Sequence, residues 1–546
     1  MNNVQQLINA NKNRLYFAQY NENPKAYPET AQSEGLLAFQ TKLNSNYNVL
    51  LNDSISEYYG EEVSPYMLTG LGIHYPKLNA TDLINNSSTA FNQWRNVDID
   101  TKYEILSKSL ENVSKRFFEL AYATMHTTGQ SFLMSFQASG PHACDRALEV
   151  LVAGYEQLTY YPKNIEWTKN LGKFDLTIHK NYKPIPKGVA IVIGCSTFPT
   201  WNTVPGLYAS LITGNTVIVK PHPKSVYPIA IFIEELRKVL AENNINPDVV
   251  LMAIDSVDNP ITKVIAEHPS VKLIDYTGGS SFGNYIESLG KVCFTEKAGI
   301  NSVLIDSVND ADKIFQNIAF SISLYSGQMC TAPQNIYISK DGIQTSNGHL
   351  SFDECVTGIQ NALTNLLGNP KAAAPTLGAI QNQYTIERIT NKISELDHNS
   401  KLIEVNFEVV NDEFKDARIA LPKLMVVDAE ISQAYMEECF GPLSFIIKTN
   451  SYEDSLRFMK ASGENHGAIT CLAYTTNEAK MKEIEDEMNS VFVPVSFNFI
   501  GAAFVNQHAA FSDLHVSGGN PAGNATFTNA DFINKRYIWI GNRYLL

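Results

Sequence analysis

The residues that decide the fold run from Lys187 to Gly299, where five short apolar runs recur: GVAIVIG (188–194), NTVIVKP (215–221), VVLMAID (249–255), VKLIDYTG (271–278) and KVCFTEKAG (291–299). Helical patterns lie between them. The clearest is PIAIFIEELRKVL (228–240), whose apolar residues at 229, 232, 233, 236, 239 and 240 keep to one face of a 3.6-residue repeat. Strands alternating with helices at this spacing predict right-handed crossovers and a mostly parallel, doubly wound sheet covered on both faces. Such sheets bind ligands beyond the carboxyl ends of their strands. The residues that follow each run are therefore where chemistry is expected.

Working downstream, SVLID (302–306), QNIYISK (334–340), KLMVVDAE (423–430), LSFIIKT (443–449) and AITCLAYT (468–475) predict a second α/β lobe. Upstream, apolar residues from Thr89 to about Leu158 recur at helical spacing, and residues 1–85 are rich in Asn, Tyr and Pro without a legible role. The closing KRYIWIGNRYLL (535–546) alternates aromatic and polar residues and predicts an edge strand that a partner subunit would cover.

Composition narrows the class. The chain has 546 residues, 44 % of them apolar, and 42 Lys and Arg stand against 56 Asp and Glu for a net charge of −14. No overall positive field would gather nucleic-acid phosphates or an anionic membrane. Seven dispersed cysteines with no CxxC pair predict reduced thiols in a cytoplasm and no zinc ribbon or other metal site. No stretch is apolar enough to span a bilayer.

Two residues carry candidate chemistry. Cys330, in SLYSGQMCTAPQ (323–334), follows a turn at Gly327 and precedes small polar residues, as a loop nucleophile would. Glu296 ends an apolar run, where a carboxylate delivered into a cleft can act as a general base. By themselves these are more often a buried structural thiol and a solvated surface charge. A rival is the G-x-S-x-G of Gly279 to Gly283, between a strand and a helix, which would make Ser281 a hydrolase nucleophile. The same glycines also suit a phosphate at a helix N-terminus.

Taken in order, STFP (196–199), TGNTVIVKP (213–221), YTGG (276–279), EKAG (296–299), SGQMC (326–330) and EECFGP (437–442) resemble the aldehyde dehydrogenase superfamily from about Thr89 onward. The arm EEVSPYMLTGLGIHYPK (61–77) and the KPHPKS loop (220–225) are similar to its stand-alone PaaN-type subfamily of phenylacetic acid degradation. The resemblance implies an N-terminal arm (1–85), a cofactor domain (86–165 and 187–297), a catalytic domain (298–505) and a small β oligomerisation flap (166–186 and 530–546) that would build a homodimer or homotetramer.

The same resemblance implies that Cys330 attacks an aldehyde carbon and that Glu296 activates the water that releases the acid. Lys220 would contact the adenosine ribose, Gly278 and Gly279 the diphosphate, Glu438 the nicotinamide ribose, and Phe440 would pack near the nicotinamide. Three departures accompany it. Thr197 stands where an oxyanion-binding Asn is usual. Pro223, followed by Lys224, replaces a carboxylate that disfavours a 2′-phosphate, so that NADP is expected ahead of NAD. AAFSDLHVSGGNPAG (509–523) replaces a substrate-loop motif. The implied reaction is oxidation of an aldehyde, a semialdehyde of aromatic-acid catabolism that is free or CoA-linked, to the acid. A CoA-acylating enzyme, a weakly active cofactor-binding scaffold and the Ser281 hydrolase are the alternatives.

Overall fold

A computed structural model of the chain describes residues 2–396, 400–405, 408–504, 510–527 and 529–545. The stretch quoted first forms a five-stranded parallel sheet: β1 (Val189–Ile193), β2 (Thr216–Lys220), β3 (Val250–Met252), β4 (Val271–Thr277) and β5 (Val292–Glu296), in the order β3-β2-β1-β4-β5. Every residue of β1, β2 and β3 is buried, which explains why these runs are continuously apolar rather than alternating. The chain winds outward from β1 to β3 and then returns to β4, leaving a crevice at the ends of β1 and β4. Register brings Ile193 level with Lys220 and Tyr276, and Thr277 level with Glu296, so the expected site residues share one end of the sheet.

Four helices matter to the site: α1 (Ala143–Leu158), α2 (Pro199–Ile212), α3 (Tyr227–Glu242) and α4 (Ser280–Ser288). Proline at the first turn of α2 and of α3 suits positions where no intrahelical N–H bond is lost.

The second lobe is a seven-stranded mixed sheet of β6 (Asn301–Ile305), β7 (Pro333–Ser339), β8 (Ser400–Ile403), β9 (Lys423–Asp428), β10 (Leu443–Thr449), β11 (Cys471–Tyr474) and β12 (Val495–Phe497). Its order is β8-β9-β10-β7-β6-β11-β12, and only β8 runs antiparallel. A separate antiparallel sheet joins Asn164–Asn170, Asp175–Pro186 and Tyr537–Tyr544. Tyr537–Tyr544 is its edge, with Ile538, Ile540 and Tyr544 exposed.

Residues 2–85 are built into the fold rather than draped over it. They carry helices Asn2–Lys12 and Ala31–Lys42, and Leu7, Phe39, Tyr47 and Val49 are buried in the same core as the five-stranded sheet. Glu62 is buried and accepts from the Val226 and Tyr227 N–H groups at 2.6 and 2.9 Å, occupying the N-terminus of α3. At the other end of the chain, fully buried Arg536 forks onto Asp275 of β4 at 2.6 and 2.8 Å and donates to the Ser210 hydroxyl, tying the C-terminal segment beneath the sheet.

Among the described residues, no helix is long and apolar enough to cross a membrane.

Candidate active site

Cys330 is positioned by an unusual turn. Tyr325, Ser326 and Gly327 all have left-handed backbone, with φ of 52°, 50° and 67°. A Cβ on Gly327 would sit 2.4 Å from the Gly441 carbonyl oxygen, so glycine is required where this turn meets the EECFGP segment. Strain at Tyr325 and Ser326 is offset by bonds from the Tyr325 hydroxyl to Thr128 O and from the Ser326 hydroxyl to Leu377 O and Ala420 O. Asn301, the first residue of β6, donates to Cys330 O at 2.7 Å and Ala332 O at 3.1 Å, while its own oxygen accepts from Ile469 and Thr470 N–H.

Glu296 arrives from the other lobe, at the end of β5. Only 6 % of it is exposed. Its Oε2 accepts from Asn202 Nδ2 and pairs with His515 Nε2, both at 3.2 Å, while Oε1 is buried without a hydrogen-bond partner. The ligand atoms of Glu296, Cys330 and His515 all lie within 4.8 Å of one another. Burial first, and then the neighbouring Glu296 charge, hold the Cys330 thiol well above the usual thiol range. The thiol and the carboxylate expected to act together therefore meet, although they start on different sheets.

The cleft beside Cys330 is lined by Gly299, Asn301, Glu438 and Phe440 among others. Glu438 accepts from Gly299 N–H at 3.3 Å, and burial pushes its carboxyl up to about 7. Gly278 and Gly279 lead into α4. A Cβ on Gly279 meets nothing within 4 Å, and no side chain caps the helix, so there is open space beside its start. That space suits the diphosphate of a dinucleotide.

Lys220 is buried and paired with Asp255 at 2.6 Å, and it also donates to Pro221 O. Burial lowers its pKa. Pro223 lies half-buried in the loop that follows.

Thr197 lies in the loop between β1 and α2. Its carbonyl accepts from Gln130 Nε2 at 2.8 Å. Burial raises the Cys195 thiol to about 11. Ser281 is exposed in the first turn of α4, and among the described residues no histidine or carboxylate hydrogen-bonds its hydroxyl, so the hydrolase constellation is not assembled.

Two residues that the sequence did not assign to the site reach it in the fold. Asn202 stands three residues after the Pro199 that opens α2, which turns it toward Glu296 and lets its oxygen accept from the Cys195 thiol at 3.6 Å. His515 lies in the loop that replaces the substrate motif. That loop also zips onto the end of β5: Thr295 N–H donates to Asn524 Oδ1 at 2.7 Å, and Lys297 N–H donates to Ala522 O at 2.6 Å.

Residues 74–519 match the model of the aldehyde dehydrogenase family. The crystal structure of NAD-dependent aldehyde dehydrogenase from Burkholderia multivorans is 38 % identical and superposes with a TM-score of 0.95 over 100 % of this chain and 97 % of that one. A 1-pyrroline-5-carboxylate dehydrogenase of Bacillus subtilis (strain 168) is 23 % identical over 486 residues, 85 % of this chain and 87 % of its own. A putative aldehyde dehydrogenase family 7 member A1 homolog of Caenorhabditis elegans is 22 % identical over 337 residues, 58 % of this chain and 59 % of that protein's length.

Proposed function

The chain belongs to the aldehyde dehydrogenase family, and from that premise we propose that it oxidises an aldehyde to the carboxylic acid through a thioester on Cys330. The observation that carries this reading is the meeting of Cys330 with a buried Glu296 whose Oε1 has no partner. A bare carboxylate oxygen beside a thiol that is held protonated is a ready proton acceptor.

In this mechanism Glu296 Oε1 takes the Cys330 proton as sulfur adds to the aldehyde carbon, because the thiolate and not the thiol is the nucleophile. The adduct loses hydride and becomes a thioester. Bound NAD(P) supplies the acceptor for that hydride. Glu296 releases the thiol's proton to solvent, then takes a proton from the attacking water and returns it to the Cys330 sulfur as the acid leaves. Gly278 and Gly279 would admit the cofactor diphosphate to α4, Glu438 would accept from a ribose hydroxyl, and Phe440 would wall the nicotinamide side of the cleft. A Thr197 hydroxyl would offer the oxyanion one hydrogen bond from a shorter arm than an Asn amide, so we assign the main oxyanion donation to the Cys330 backbone N–H.

We take NAD ahead of the NADP that Pro223 and Lys224 suggested. The Lys220 charge is already paired with Asp255, Glu61 lies close enough to act on it as well, and the Glu62 carboxylate fills the N-terminus of α3. A 2′-phosphate would meet these acids as well as the Lys224 cation. The name of the 38 % identical relative, an NAD-dependent enzyme, supports the same choice.

For the substrate we propose a semialdehyde of aromatic-acid catabolism, supported by the arm and KPHPKS loop, and for the assembly a homo-oligomer built through Tyr537–Tyr544. A buried, partnered Glu296 favours water over CoA as the group that resolves the thioester. Turnover of an aldehyde panel with NAD or NADP, with and without CoA, tests the reading: acid and NADH are expected, and acyl-CoA as the product would overturn hydrolysis.

A further inference from the structure

We propose that His515 is a positioning residue for this chemistry, holding Glu296 so that its unpartnered oxygen is presented to Cys330. The inference rests on the reading above and adds a residue that the family motifs do not supply. A carboxylate only accepts, so the shared proton at 3.2 Å belongs to His515 Nε2. Together with Asn202 Nδ2 this donor saturates Oε2. Rotation of the carboxylate would break both bonds, and Oε1 is left as the basic edge.

The ring is held as a positioning group must be. The Trp201 ring meets it edge-on at 4.5 Å between centroids and Phe527 stacks on it at 5.4 Å. Its loop is pinned from below: Ser512 O accepts from Arg14 Nε and Asp513 O from Arg146 Nη1, both at 3.2 Å, and both arginines pair with Glu149 of α1. Phe511 and Val516 flank it in left-handed backbone, with φ of 67° and 61°. A β-branched residue there is a genuine outlier, and such strain persists where the surroundings over-determine a site. One loop thus fixes Glu296 twice, by its backbone through Lys297 and Thr295 and by its side chain through His515. Among the described residues, the charged and titratable groups at the ring are Glu296 and Cys330 toward the cleft, with Arg146 5.8 Å from the Trp201 ring that packs on it.

The test compares His515→Phe, which keeps a ring without a donor, with His515→Gln, which keeps a donor without a ring. Two readouts are taken on the full chain: kcat and KM for aldehyde oxidation, and the pH profile of Cys330 alkylation by iodoacetamide without cofactor, in a background where the other reactive thiols are mapped by mass spectrometry. We expect His515→Phe to lower kcat by about 10- to 100-fold at nearly constant KM, as loss of an orienting partner does, and to shift the alkylation profile. His515→Gln is expected to recover most of both. Wild-type kcat and profile in His515→Phe, or equal losses in the two variants, would overturn the proposal, the second outcome assigning the effect to packing against Trp201 and Phe527. If His515→Phe does not fold, the Gln variant alone decides: near-wild-type rates support the proposal, and a loss as large as that of Glu296→Gln overturns it. Wild-type enzyme that alkylates as expected but oxidises no aldehyde would sink the proposed function and leave the His515 coupling measurable.

Discussion

Asp275 and Glu296 are carboxylates on adjacent strands, β4 and β5, and they are almost equally buried at 7 % and 6 % exposure. Asp275 spends both oxygens on the Arg536 fork, with phenyl rings of Phe294 and Phe532 closing over the guanidinium at 4.0 and 4.4 Å. Glu296 has two donors on one oxygen and none on the other. A buried charge whose hydrogen-bonding capacity is filled holds the molecule together. A buried charge left half-filled beside a thiol is set up to move protons.

The contrast can be broken by neutralising each in turn. Glu296→Gln should lower turnover by about 10²–10⁴-fold, the usual contribution of a general base, while the unfolding midpoint in urea stays near that of wild type. Asp275→Asn should do the reverse and cost about 3–5 kcal/mol of stability, because the buried Arg536 loses its counter-charge, with kcat per folded molecule nearly unchanged. Equal losses of activity in the two variants would erase the distinction.

A third buried carboxylate sharpens the comparison. Burial pushes Glu62 up to about 7 from 4.5, so the folded chain holds a proton that the unfolded chain releases between those values. Stability should therefore fall as pH rises from about 4.5 to 7 and level off above, by about 3 kcal/mol for this group. Glu62→Gln should remove that slope, read as the difference in urea midpoints between variant and wild type across the range. The smallest change is expected at Thr197→Asn, which should raise kcat by less than about tenfold if the longer amide supplies a second oxyanion donor. Abolished turnover would show that the Thr197 hydroxyl is not a simple weaker donor.

The strands and the candidate nucleophile were legible because their signals are local. β1, β2 and β3 are buried on both faces and read as unbroken apolar runs, and Cys330 follows a glycine turn within a contiguous motif. Glu296 was legible as a strand end. Its partners were not. Asn202 becomes a neighbour only once α2 starts at Pro199, and His515 comes from 219 residues away in a loop with no periodicity. The arm was opaque for a related reason: Asn, Tyr and Pro signal irregular chain, and nothing in that composition announces that Phe39 and Tyr47 fill a core made by other segments.

That arm has a practical consequence. The family match begins at residue 74, which invites an expression boundary at that point. A gene trimmed there would strip Leu7, Phe39, Tyr47 and Val49 from the interior they complete and uncap α3 by deleting Glu62. The product would present a bare greasy face to solvent and be recovered in inclusion bodies, so the working unit of this enzyme is longer than the unit by which its kinship is recognised.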